Sequence, residues 1–307
     1  MVNYRLPENP RSLGDLVGLA FRLLRIHWKI VIQRFLTPSI FMSVAMAGLE
    51  WSFVSWVQAK TMNMNWFFIH LVLALAMVIV LIASQWEIAL RSTSLIRFVL
   101  MKEESFDQAY EYAREKQWSI MGVYGASFIL PLVVWFVLGT LFVLTLFIGE
   151  WGTAGKLLCI PLGFLEGILF VVSFSFAILF TALSFTVISL NPVSFVTALK
   201  DGFSLTMTKL PRGLSFICLL VISILAFTLI FYVPVALIQM GEGLAQGKLY
   251  ESQYPIYVRV LDAVVGCIVN IISVGSAIFG VSVYYRDLKM RVHGEDILQI
   301  IERANQA

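Results

Sequence analysis

Four polar side chains that could bind a polar substrate lie inside long apolar stretches of this 307-residue sequence: Glu166, Asp262, Asn270 and Glu87. An ionised side chain at the centre of a bilayer costs about 2.5–3.5 kcal/mol on insertion scales, so such residues face a bundle interior or water. A carboxyl group there can carry a proton or contact a polar substrate. The four residues are therefore a candidate intramembrane polar site.

Glu166 also has a purely structural interpretation. It lies within Gly163-x-x-x-Gly167, a spacing of small residues that lets two helices approach closely. The carboxyl group could then be protonated or paired at a helix contact. Both interpretations stay open at this point.

The other three residues have local alternatives of the same kind. Glu87 and Arg91 are four residues apart, a spacing that allows a salt bridge on one helix face. Arg259 and Asp262 form a similar pair three residues apart. Asn270 could bond to a neighbouring helix instead of lining a polar path.

The sequence predicts no enzyme, no cofactor and no metal site. Its three histidines, His27, His70 and His293, are far apart, and no HExxH motif is present. A GxSxG elbow and a Walker-A loop are also missing. The net charge of +3 gives no case for a nucleic-acid partner.

Six apolar runs surround these residues, and each is long enough to cross a bilayer, which takes roughly 20 helical residues. Hydrophobic residues make up 59% of the chain and charged residues only 13%. The runs cover residues 35–58, 66–90, 118–148, 157–190, 213–240 and 260–283. We therefore predict an all-α polytopic membrane protein with six transmembrane helices.

The basic residues predict its orientation. Of the 22 Lys and Arg residues, all but Lys60, Lys156, Lys248 and Arg259 flank the runs on the side that holds both termini. Cytoplasmic segments carry such an excess, so both termini are expected in the cytoplasm.

Three serines predict an internal repeat. Each begins a short helical stretch, and a small residue follows eight positions later; the pairs are Ser12 with Ala20, Ser105 with Ala113, and Ser194 with Gly202. Ser105-x-x-Gln108 fits a capping box. The single membrane domain 1–307 would then contain three hairpin units, each preceded by a cytoplasmic amphipathic helix, at 12–104, 105–193 and 194–290, with a tail at 291–307. The alternative is that multi-span proteins look periodic without being repeats.

Two end motifs resemble a known family. Residues 9–25, NPRSLGDLVGLAFRLLR, resemble RPxSxGEILDxAFxLYR, and residues 284–302, YYRDLKMRVHGEDILQIIE, resemble YxDLRxRxEGxDL. These motifs open and close a family of multi-span bacterial proteins that is similar to the membrane domain of glycerophosphoryl diester phosphodiesterases. The matching residues are Ser12, Leu13, Gly14, Ala20, Phe21, Tyr285, Asp287, Leu288, Arg291, Gly294 and Asp296, whereas Asp15, Leu24 and His293 depart from the pattern. The resemblance implies a helical protein of the bacterial inner membrane, without implying phosphodiesterase activity.

Basic residues close to the first and last runs are candidate lipid-headgroup contacts. They are Arg22, Arg25, Lys29, Arg286, Lys289 and Arg291. A basic residue at phosphate level contributes about 1 kcal/mol toward anionic lipid. Asp287 is expected to pair with Arg291, four residues further on.

Two functions are compatible with these patterns. The first is a non-enzymatic membrane subunit or scaffold that binds lipids, membrane or cytoplasmic proteins, or a second copy of itself at the cytoplasmic face. The alternative is a transporter or permease-like protein with a polar path near Glu166, Asp262 and Asn270. The two differ in whether these polar residues converge on one cavity.

Overall fold

A computed structural model describes residues 11–58, 64–101, 104–149, 152–245 and 256–293. Within them the chain forms eight α-helices and no strand: α1 (Leu13–Gln58), α2 (Met64–Leu100), α3 (Phe106–Glu115), α4 (Gln117–Gly149), α5 (Gly152–Leu190), α6 (Phe195–Thr208), α7 (Leu210–Ala245) and α8 (Ile256–His293). Lys60, Lys248, Gly294, Asp296 and the tail from residue 294 onward lie outside the described residues.

The predicted all-α polytopic fold is confirmed. The six long helices α1, α2, α4, α5, α7 and α8 are each long and apolar enough to cross a membrane. They include the six predicted runs and extend beyond most of them, because charged residues near the ends of the runs are compatible with a continuing helix when they find partners.

One predicted short helix is wrong. The sequence predicts a separate amphipathic helix after Ser12, yet α1 runs unbroken from Leu13 to Gln58. No proline or glycine interrupts residues 19–37, so nothing in the local sequence ends the helix there. Of the eight described helices, only α3 and α6 are separate short ones.

The predicted serine caps are confirmed. The Ser105 hydroxyl accepts from the Gln108 amide at 3.3 Å, and the Gln108 side chain accepts from the Ser105 amide at 2.9 Å, which completes a capping box. Ser194 accepts from the Thr197 amide at 3.3 Å. Ser12 accepts from the Asp15 amide at 3.2 Å. The small residues eight positions after these serines are all buried, but the three-unit repeat itself stays a prediction.

The chain divides into two compact units. Unit 1 comprises Met1–Val17, Thr93–Leu220 and Val281–Ala307, and unit 2 comprises Gly18–Ser92 and Val221–Gly280. In unit 1, α4 packs along α5, and α6 packs against both of them. Most residues of α8 between Val281 and Met290 in unit 1 are buried, including Val283, Tyr284 and Leu288. Asp287 belongs to this segment, so its side chain is also buried.

In unit 2, a proline inside α1 is compensated by an arginine from α2. Pro38 lacks the amide that would bond to the carbonyl of Arg34, four residues earlier. Arg91 donates an Nη1 hydrogen bond to that carbonyl, and its Nε donates to Glu87 at 2.6 Å. The predicted Glu87–Arg91 pair is thus confirmed, and it also holds the guanidinium against α1.

The role of Arg91 predicts a coupling with Pro38. Arg91→Met removes this donor from the Arg34 carbonyl, whereas in a Pro38→Ala background the amide of the new alanine can donate to it. We expect Arg91→Met to lower the free energy of unfolding by about 1–3 kcal/mol less in the Pro38→Ala background than in the wild type. The loss of the Glu87 partner occurs in both backgrounds and cancels in a double-mutant cycle of unfolding free energies in mixed micelles. Additive effects would mean that Arg91 does not serve the freed carbonyl.

Candidate functional site

The predicted intramembrane polar residues bond to separate partners. In unit 1, the Thr145 hydroxyl donates to Glu166 Oε1 at 2.6 Å. In unit 2, Asn270 donates to Ser39 Oγ at 2.9 Å, and Glu87 pairs with Arg91. Asp262 is partly exposed near the start of α8, and its pairing with Arg259 stays a prediction. These separate contacts favour a packing role for Glu166, Glu87 and Asn270 over one shared path.

The position of the Glu166 side chain does not result from a close helix contact at the neighbouring Gly163 and Gly167. No atom lies within 4 Å of a Cβ placed on Gly163 or Gly167, so within the described chain this spacing brings no helix close. The other carboxyl oxygen, Oε2, is buried and has no hydrogen-bond partner among the described residues. Thr145 is therefore the contact that orients the Glu166 side chain.

A buried carboxylate in unit 1, that of Asp287, accepts hydrogen bonds from three arginine residues. Asp287 on α8 has a side chain only 1% exposed. Its Oδ1 accepts from the Arg11 amide at 2.9 Å. Its Oδ2 accepts from Arg291 Nε at 2.9 Å and from Arg212 Nη2 at 3.0 Å. The predicted Asp287–Arg291 pair is confirmed, while Arg212 and Arg11 are additional partners that the sequence did not reveal.

The same two arginines share a second acceptor. The backbone carbonyl of Arg11 accepts from Arg212 Nη2 at 2.6 Å and from Arg291 Nη2 at 3.0 Å. Asp287 and the Arg11 peptide thus hold two guanidinium groups against common oxygens. One buried negative charge faces two positive charges, so the cluster keeps a net positive charge.

Close packing at the start of α7 positions Arg212. The rings of Phe216 and Tyr284 stack at 4.8 Å between centroids, and both side chains are buried. A Cβ on Gly213 would overlap Leu179 Cδ2 and would lie 2.9 Å from the Tyr284 hydroxyl oxygen. A larger residue there would have to displace these two side chains, and glycine lets the first turn of α7 lie close to α8.

The predicted lipid-headgroup residues lie in two groups, one in each unit. In unit 2, three exposed residues lie along α1: Arg22, Arg25 and Lys29. In unit 1, Lys289 Nζ lies 5.7 Å from the centroid of the Tyr285 ring, and Arg286 is half-buried. Lys209, just before α7, is exposed and adds another positive charge to unit 1.

A second arginine cluster in unit 1 has a structural role. Arg97 pairs with Glu104 through Nε at 2.6 Å and Nη2 at 2.5 Å, and its Nη1 donates to the Ser189 carbonyl at 2.9 Å. The guanidinium carbon lies 3.9 Å from the centroid of the Tyr112 ring. The Tyr112 hydroxyl donates to the Ile188 carbonyl at 2.9 Å. These donors satisfy carbonyls in the last turn of α5, where a helix lacks amide partners of its own.

Tyr112→Phe tests this second cluster. The variant keeps the ring beneath Arg97 and removes one hydrogen bond, so we expect it to lose about 0.5–1.5 kcal/mol of unfolding free energy at pH 7.

Tyr112 should also make stability depend on pH. Burial raises the pKa of the Tyr112 hydroxyl, the Arg97 guanidinium partly lowers it, and Glu104 and Glu115 raise it further. The folded state therefore keeps the proton longer than the unfolded state, whose tyrosine ionises near pH 10. The contribution is complete below about pH 10 and is lost as the pH rises through the folded pKa. The difference between wild type and Tyr112→Phe should shrink above that pH; a constant difference would contradict the assignment.

The chain matches no protein-family profile, and no curated protein or solved structure is detectably similar to it. The likeness of its end motifs to a multi-span bacterial family stays a prediction. The contacts described above, rather than a relative, are what point to a function.

Proposed function

We propose that the protein is a non-enzymatic integral membrane subunit or scaffold that binds lipids and partner proteins at the cytoplasmic face of a bacterial inner membrane. The observation that carries the proposal is the division of α6 into three faces. A helix that is packed on one side, apolar on a second and polar on a third suits the boundary between a membrane and water.

The three faces of α6 follow its helical periodicity. Ala198, Gly202 and Thr206 are buried. Three exposed apolar side chains, Val196 (59% exposed), Phe203 (48%) and Met207 (45%), form one stripe, and Phe195 is also exposed, at the first position of the helix. The exposed polar side chains Thr197, Asp201, Ser204 and Thr208 lie on the remaining side, and the exposed Lys200 lies at its border with the apolar stripe. In this proposal the apolar stripe contacts lipid tails and the polar face contacts the cytoplasm.

Helix α3 differs from α6 in a useful way. Its buried residues are Phe106, Ala109 and Ala113. Its exposed residues are all polar or charged: Asp107, Gln108, Glu111, Arg114 and Glu115. A short helix with no exposed apolar stripe suits water and a protein partner better than lipid. The two short helices would thus serve different neighbours.

The orientation rests on the distribution of basic residues. Arg97 near the end of α2, Lys209 and Arg212 around the start of α7, and Arg291 near the end of α8 all lie at the membrane side assigned to the cytoplasm. This excess of positive charge supports a cytoplasmic location for α3 and α6.

Purification in a mild detergent, followed by mass spectrometry of the co-migrating proteins and lipids, tests the proposal. We expect enrichment of anionic lipids and at least one stoichiometric protein partner. Val196→Glu with Met207→Glu should reduce lipid retention, while Thr197→Glu with Ser204→Glu, on the polar face, should leave it unchanged. A lone protein whose lipids match the bulk membrane would contradict the proposal.

A further inference from the structure

We propose that Arg212 and Arg291 form a binding site for one phosphate group. This inference rests on the proposed lipid-binding function and gives it a specific ligand chemistry. The phosphate belongs either to an anionic lipid headgroup or to a free phosphate ion, and both would use the same contacts.

The donors that would bind the phosphate are the Nη1 groups of the two arginines. Arg212 uses Nε and Nη2 toward Asp287 and the Arg11 carbonyl, and Arg291 uses Nε and Nη2 toward the same two groups. Each guanidinium has five N–H donors, two of them on Nη1. Neither Nη1 has a hydrogen-bond partner among the described residues.

Shared acceptors make the two groups ready to bind. Both guanidinium groups donate to Asp287 Oδ2 and to the Arg11 carbonyl oxygen, which limits their motion before any ligand arrives. A ligand therefore loses little affinity to ordering of the side chains. The two positive charges exceed the single negative charge of Asp287, so an anion is favoured.

The site is reachable without being open to water on all sides. The Arg212 side chain is 24% exposed and the Arg291 side chain 31%, while Asp287 is 1% exposed. Partial burial strengthens a charge-assisted hydrogen bond, and phosphate matches the planar donors of arginine better than it matches a lysine. Arg212 lies near the start of α7 and Arg291 near the end of α8, so a membrane that these helices cross would bring lipid phosphates close to both arginines.

Arg97 shows by contrast why the other arginine cluster is not such a site. Its Nε, Nη1 and Nη2 all donate within the protein, and Tyr112 covers one face of its guanidinium. Every nitrogen of this guanidinium therefore already has a partner. Uncommitted donors thus distinguish the Asp287 cluster from Arg97.

The test is native mass spectrometry of the full chain in detergent, titrated with dioctanoyl phosphatidic acid, dioctanoyl phosphatidylcholine or inorganic phosphate. We expect one phosphatidic acid to bind per chain. Arg291→Lys and, separately, Arg212→Lys should each weaken binding about tenfold. Lysine keeps the positive charge, but its single nitrogen replaces three, so it has no separate donor group for the phosphate beside those that contact Asp287 and the Arg11 carbonyl. Arg114→Lys, an equally conservative change at an exposed position of α3, should leave the affinity unchanged.

Each outcome decides something. Competition by inorganic phosphate would show that the phosphate group is the ligand, and binding of inorganic phosphate alone would assign the site to the free ion. Absence of saturable binding, or equal affinity in all three lysine variants, would overturn the site. The two arginine variants act independently, so one that fails to fold leaves the other as the test. Bulk enrichment of anionic lipid without a saturable site would refute this inference while leaving the proposed function intact.

Discussion

Replacing Asp287 by Asn is expected to destabilise the protein by about 3–5 kcal/mol, the usual cost of removing one partner from a buried ion pair. The amide is nearly the same size as the carboxylate, so packing is preserved. It carries no charge to balance Arg212 and Arg291, and it cannot accept equally well from both guanidinium groups and the Arg11 amide. Two arginines would then remain close together and uncompensated.

The measurement is the free energy of unfolding in mixed detergent micelles. Asp201→Asn provides the matched control, because Asp201 is exposed on α6 and the same change removes a charge without breaking a buried contact. The control should unfold at the wild-type midpoint. Equal midpoints for Asp287→Asn and wild type would mean that the arginines do not depend on this carboxylate.

Replacing Gly202 by Ala should separate α6 from α5 and cost about 1–3 kcal/mol. The added Cβ would overlap the Ser184 hydroxyl oxygen, and it would lie 2.8 Å from the Ser184 Cα and 2.9 Å from its backbone nitrogen. A side chain can rotate away, but the latter two atoms belong to the backbone of α5. A Ser184→Gly change should therefore fail to rescue the variant.

Gly139→Ala is the control for helix propensity. Within the described chain no atom lies within 4 Å of a Cβ at Gly139, so this change should leave stability unchanged or raise it by up to about 1 kcal/mol. Differential scanning calorimetry of the two purified variants and the wild type compares their thermal stabilities. A Gly202→Ala protein at least as stable as wild type would show that α6 does not need its close approach to Ser184.

Local patterns predicted most of the fold. Six apolar runs predicted the six long helices, because length and hydropathy are properties of each segment alone. The capping box at Ser105 followed from a four-residue motif whose two hydrogen bonds are both local. The Asp287–Arg291 pair was predictable for the same reason, since one helical turn joins the two residues.

Contacts between residues far apart in the chain could not be predicted from the sequence. Arg212 lies 75 residues from Asp287 and Arg11 lies 276 residues from it, and no spacing rule connects them. The pairing of Arg91 with Glu87 follows from their spacing, but its bond to the Arg34 carbonyl becomes visible only when α1 and Pro38 are placed beside α2. A proline within a long apolar run is nevertheless a signal that the carbonyl four residues earlier needs a donor.

The candidate intramembrane site shows the same limit. The sequence could name Glu166, Asp262, Asn270 and Glu87 as costly residues inside apolar runs, but it could not say which partners satisfy them. Thr145, Ser39 and Arg91 are such partners in the structure, each for a different member of the set. Residue type alone therefore predicted that partners would exist, without predicting whether they would be shared.

Accessibility of single cysteines along α6 tests whether this helix lies at the cytoplasmic surface of the membrane. In a background without Cys159, Cys218 and Cys267, cysteines at Thr197, Asp201 and Ser204 should react with a membrane-impermeant maleimide from the cytoplasmic side. Cysteines on the lipid-facing stripe, at Val196, Phe203 and Met207, should be protected from that reagent and should react with a lipid-soluble one. Reaction of both sets from water, or labelling of the polar face only from the outer side, would contradict an interfacial helix at the cytoplasmic surface.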